Sequence, residues 1–117
     1  MKTTLLEAAV INRMLADPAL APMPRKFDVA WLIVAERDHT EVGFITSFAR
    51  TSETRLFDEP VSIRWGKVVG RLNLTTDADF IIYVDEGYLV AVEGCTFGGE
   101  PWPEEVAEFE LSDLPAP

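Results

Sequence analysis

Past Arg71 the chain has no lysine and no arginine, and along its whole length it has one cysteine and one histidine. Each shortage excludes something. A single cysteine, Cys95, makes no internal disulfide and offers no pair of thiolates at metal-ligand spacing, so no metal site is expected. A single histidine leaves nucleophilic catalysis one ordinary base, His39, and only folding could bring it to Cys95. No stretch approaches the roughly 20 apolar residues of a membrane span. The N-terminal "MKTTLLEAAVINRMLADP" is broken by Glu7, Asn12 and Arg13, so it reads neither as a secretory signal nor as a span, and a cytoplasmic protein without membrane contact is expected. "GKVVG" lacks the spacing of a phosphate-binding loop. No basic patch with interleaved aromatics is present, which disfavours nucleic acid as a partner.

What is present is a chain of domain size, 117 residues with 48% hydrophobic and 26% charged residues, enough for one buried core without staples. A single domain over residues 1–117 is expected. The net charge of -10 is unevenly spread. Ten cations face nine acids up to Arg71, whereas residues 72–117 hold eleven acids and no cation. Such a field opposes phosphates and anionic lipid and steers a basic protein inward. Acidic residues also keep small domains soluble, and composition alone does not separate the two roles.

Local patterns organise the chain. Thr4 and Glu7 have the spacing of a capping box, which predicts a helix over residues 4–17 ended by Pro18. Its apolar residues fall into two groups: Leu6, Val10 and Met14, and Ala8, Ile11 and Leu15. One face packs on the domain; the other is either buried too or free for a homodimer. Residues 18–25, "PALAPMPR", read as a proline-rich connector. From residue 27 the apolar period becomes strand-like, and an antiparallel sheet is expected over residues 27–111. "FDVAWLIV" reads as its first strand, with a buried helix as the competing reading, residues 37–41 as the turn and "VGFITSFA" as the next strand. Residues 50–60 read as a mobile loop. "VSIRW" and "KVVGRLNL" read as two strands joined at Gly66, and "TTDAD" as a polar break. "FIIYV", "DEG" and "YLVAVEGCT" form the clearest hairpin, with Gly87 supplying a positive φ. The fold class is therefore α+β, an N-terminal helix packed on a mainly antiparallel sheet of five to six strands.

Candidate chemistry is sparse, and neither a catalytic residue nor a cofactor is assigned. Cys95 reads first as a small buried hydrophobe and His39 as an exposed turn residue. Asp77 and Asp79 share one side of an extended chain, a spacing open to a hard cation but more simply a solvated break. Residues 98–113, "GGEPWPEEVAEFELSD", are distinctive: six carboxylates, no cation, and Trp102 between Pro101 and Pro103. The prolines lower the entropy lost when the ring meets a partner. Trp102 either anchors such a contact or folds back to close the core, with Glu104, Glu105, Glu108 and Glu110 as the solvated edge.

"VGF" with Phe48, "GKVV", and above all "FIIYVDEGYLVAVEGCTFGGEPWPEE" resemble a family of small uncharacterised bacterial proteins with a C-terminal "LEG", Thr-aromatic, "PWP" pattern. Val92, Glu93, Gly94, Thr96, Phe97 and residues 101–103 carry the match, with Val92 in the place of the family's leucine. The resemblance implies a small α+β domain and no reaction. By analogy, acidic proteins of this kind look like immunity partners of bacterial toxins. The expectation is a non-enzymatic acidic binding module for a basic protein, such as a nuclease toxin, with Glu100, Trp102, Glu104, Glu105, Glu108 and Glu110 as the contact surface. The alternative is a small enzyme or ligand binder with a pocket between helix and sheet, with Asp77, Asp79 or His39 at its mouth.

Overall fold

The computed structural model describes residues 1–20 and 27–113. Residues 21–25 of the expected connector lie outside the described residues. Helix α1 spans Leu5–Leu15 and starts on the capping box: Thr4 Oγ1 accepts from the Glu7 N–H at 3.1 Å, and Glu7 Oε1 accepts from the Thr4 N–H at 2.8 Å. Pro18 opens a 3-10 turn over Pro18–Leu20. Leu6, Glu7, Val10, Ile11 and Met14 are buried, so Ile11 joins the first apolar group, whereas Leu15 and Ala8 are half-buried.

Six strands follow: β1 Val34–His39, β2 Gly43–Phe48, β3 Ile63–Leu72, β4 Thr76–Asp85, β5 Tyr88–Thr96 and β6 Phe109–Asp113. They form one sheet in the order β1-β2-β5-β4-β3-β6, antiparallel at every pairing. The helix covers one face, mainly over β3 and β4. Beneath it lie Val68, Leu72, Phe80, Ile82, Val92 and Phe44, all buried. No helix among the described residues is long and apolar enough to cross a membrane.

The structure corrects five local expectations. In the stretch read as the first strand, the Asp28 carboxylate accepts from the Ala30 N–H at 2.9 Å and caps a 3-10 turn, Val29–Trp31. This local bond wins over extension, and β1 starts only at Val34. β1 then runs on through Arg37, Asp38 and His39, expected in a turn, because an edge strand tolerates outward charges. β3 is one continuous strand, and Gly66 sits in an irregular register between Trp65 and Val68 rather than at a junction. "TTDAD" belongs largely to β4; the β3–β4 turn is made by Asn73 and Leu74, at φ 51° and 62°. Residues 50–60 are pinned: Leu56 and Phe57 donate their N–H groups to Gly87 O at 2.7 and 3.2 Å, and Leu56 is fully buried.

The β4–β5 hairpin turns at Glu86 (φ 52°) and Gly87 (φ 88°), the geometry of a tight two-residue hairpin loop. Gly94 matters for a different reason. It pairs with both Phe44 and Phe80 on the covered face, and a Cβ there would lie 2.6 Å from the Phe44 ring and 2.9 Å from the Phe80 ring. Gly94→Ala is therefore expected to cost about 1–3 kcal/mol through overpacking, measured as a drop in chemical-denaturation stability. Gly98→Ala has nothing within 4 Å of the added carbon and is expected to cost about 1–2 kcal/mol, from the positive φ alone.

Candidate functional site

α1 is fastened to the sheet by a carboxylate. Glu7 is only 2% exposed, and beyond its capping bonds it accepts from Arg37 Nε at 2.9 Å, Arg37 Nη2 at 2.7 Å and Thr46 Oγ1 at 2.5 Å. Arg37 on β1 and Thr46 on β2 are register partners, so both side chains rise on the covered face beneath the first turn of α1. Burial raises the Glu7 pKa, but the hydrogen bonds from Arg37, Thr46 and the Thr4 backbone outweigh it and hold the carboxyl below its usual range. The Arg37 guanidinium is in turn held above its usual value, first by the bond to Glu7.

A second fastening holds the segment after β5. The Trp102 ring meets Phe44 edge-on at 5.2 Å between centroids and Phe80 at 6.4 Å, in the space that Gly94 leaves open. The Trp102 N–H donates to Glu41 O at 2.7 Å. Further along, Asn73 clamps the chain. Its Nδ2 donates to Glu105 O at 2.8 Å, its Oδ1 accepts from the N–H groups of Ala107 and Glu108 at 2.9 and 3.2 Å, and its own N–H donates to Glu108 O at 2.9 Å. Asparagine suits this place because it tolerates the positive φ of the turn and carries both a donor and an acceptor.

Between these fastenings runs a groove of about 650 Å³, with the first turn of α1 on one side and residues 102–109 on the other. Phe44 and Trp102 form part of its lining with Leu6, Val106 and Phe109; Glu7 and Arg37 contribute its polar part. His39 and Glu104 also line it. A smaller depression of about 420 Å³ lies near Arg71, Asp77, Phe97 and Glu110.

The six residues expected at the contact surface are dispersed along this segment. Trp102 is half-buried and faces the groove while packing on the sheet, thereby combining the two roles open to it. Glu104 lines the groove, whereas Glu105 and Glu108 are exposed on the backbone that Asn73 holds. Glu100 is exposed, and its carbonyl accepts from the Thr96 hydroxyl. Glu110 is set apart: it stands opposite Arg71 on β6 and contributes to raising the Arg71 pKa, after the larger effect of Asp77. Among the described residues, Glu100, Glu104, Glu105 and Glu108 have no cationic partner.

Of the alternative's residues, His39 is at the groove, but as the last residue of β1 rather than in a turn. Asp77 and Asp79 are not. Asp77 pairs with Arg71 at 3.0 Å, and Asp79 faces Val69 and Cys95 in register on the sheet's other face. Cys95 is half-buried on that face rather than enclosed, so strand alternation separates it from His39 and no nucleophile–base pair forms. No group of three or more His, Cys, Asp or Glu side chains among the described residues is placed to hold a metal ion.

Sequence reasoning missed Glu7, Arg37, Thr46 and Asn73. Glu7 was visible only as a local cap, and nothing local announces partners 30 and 39 residues away. Comparison of the chain with protein-family models, curated proteins and solved structures gives no match.

Glu7→Gln is expected to destabilise the fold by about 3 kcal/mol near neutral pH, since Arg37 loses its buried counter-ion. Because the folded carboxyl titrates below the unfolded one, Glu7's stabilisation is complete above the ordinary carboxylate value of about 4.3 and is lost as pH falls through its folded value. The gap in unfolding free energy between wild type and variant should therefore narrow on acidification. Asn73→Gly keeps the turn conformation and removes the side-chain bonds; it is expected to cost about 1–3 kcal/mol. It should also speed cleavage after Glu104, Glu105 and Glu108 by a glutamyl endopeptidase.

Proposed function

We propose that the chain is a non-enzymatic acidic binding module that docks onto a basic protein, in the manner of an immunity protein occupying a basic toxin such as a nuclease. The observation that carries this reading is the pairing of unneutralised charge with a held backbone. Glu100, Glu104, Glu105 and Glu108 are exposed without cationic partners among the described residues, while Trp102 and Asn73 fix the chain between them. Carboxylates that serve solubility gain nothing from a fixed backbone. Carboxylates that recognise a partner do, because less conformational entropy is lost on binding and their field stays matched to one surface.

A second reading, a small ligand in the groove, draws on its volume, which lies within the range of about 300–1,000 Å³ that small-molecule sites occupy. The two readings differ in salt dependence. Capture of partners by the tagged protein at low and moderate salt, beside a variant with Glu100, Glu104, Glu105, Glu108 and Glu110 as glutamine, separates them. A basic protein held by the native form, released by salt and lost by the variant is the expected result. Equal retention by both forms, unaffected by salt, would contradict it.

A further inference from the structure

The groove has a chemistry of its own. Among the described residues its one permanent cation, Arg37, is bonded twice to Glu7 and once to Lys2 O, so its charge is already answered inside the protein. An anionic ligand therefore finds no free arginine or lysine there among the described residues. Leu6, Phe44, Trp102, Val106 and Phe109 give the lining its apolar part, Thr4, Thr40 and His39 add polar groups at its edge, and Leu5, 85% exposed, continues the apolar part outward at the start of α1. Besides Glu7, which Arg37 neutralises, its acid is Glu104, unpaired among the described residues, with the equally unpaired Glu105 next in the chain and Glu41 bonded through its carbonyl to the Trp102 N–H. A largely apolar trough with an acidic rim and, among the described residues, no available arginine or lysine is complementary to one kind of chain: apolar side chains flanked by lysine or arginine.

We infer that this groove is the seat of a short basic and apolar segment of the partner protein, one of its apolar side chains lying against Phe44 and Trp102 and a neighbouring cation meeting Glu104. This rests on the binding-module reading and adds where, and by what chemistry, the partner enters. A second copy of the chain is the poorer occupant, because each copy carries a net charge of -10 and both would bring an acidic rim to the contact. Glu105 and Glu108 sit beside the groove and steer, whereas the groove selects.

The test uses the full chain labelled with nitrogen-15, titrated with three blocked heptapeptides: one alternating leucine and lysine, one with serine for leucine, one with glutamate for lysine. The expected result is saturable amide shifts at Leu5, Leu6, Phe44, Trp102 and Ala107 with the leucine–lysine peptide, and about tenfold weaker or no binding by the other two. Leu5→Arg changes an exposed side chain outside the core and should weaken that peptide about tenfold without altering the melting temperature appreciably. Glu104→Gln should weaken it less, with a shallower salt dependence. Shifts spread over residues 104–110 that depend on the glutamates but ignore Leu5→Arg would overturn the groove and leave the acidic module standing. Absence of binding by the leucine–lysine peptide also overturns it. So does binding of the leucine–glutamate peptide with equal strength, or a concentration-dependent dimer that Leu5→Arg abolishes.

Discussion

The absence of a side chain at Gly94 organises the functional end of this molecule. Phe44 and Phe80 on the flanking strands lean into the space above it, and Trp102 closes over both rings. The chain that leaves β5 is thereby turned back across the covered face of the sheet instead of trailing into solvent. Everything that follows depends on that return: the Trp102 bond to the β1–β2 turn, the Asn73 clamp, and the pairing of β6 with β3. The acids between Trp102 and Phe109 owe their fixed positions to a packing event made by apolar rings. A held segment on one side and α1 on the other then leave a groove between them.

The opposite wall is fixed by electrostatics. Glu7 is shared between two tasks, closing the cap of α1 and pairing with Arg37 beneath it, so that one carboxylate sets the start of the helix and its height above β1 and β2. A buried ion pair with each acceptor oxygen satisfied is a poor source of net stability but a stringent source of position. That position is what leaves Leu5 outside and Leu6 inside at the groove. The two walls are thus built by different physics, one by aromatic packing around a glycine and the other by a desolvated charge pair.

The parts of this structure that could be read from sequence are those whose causes are local. The capping box of Thr4 and Glu7 marked the helix, and Glu86–Gly87 marked the hairpin, because cap and turn chemistry act across two or three residues. The α+β class followed from these and from the change of apolar period. Residues 27–39 were misread because an apolar run does not state which side chains will be covered: Trp31 and Ile33 remain 37% and 50% exposed, while the polar "ERDH" pairs with β2. Of the site, Trp102, Glu104 and His39 were visible by residue type, but not their convergence. The pairings that create the groove join residues 30 to 39 apart through side chains, and no period or spacing encodes them.

Native-state hydrogen exchange of the free protein tests the central claim most directly, by comparing the amides of Trp102, Ala107 and Glu108 with those of the β4–β5 hairpin. If the acidic segment is held by the aromatic cluster and by Asn73, these three amides will exchange slowly through an opening far rarer than that of a mobile surface loop. Exchange at the rate of an unstructured chain, while the hairpin stays protected, would mean that the acids hang from a free strand of chain and that the groove has only one wall.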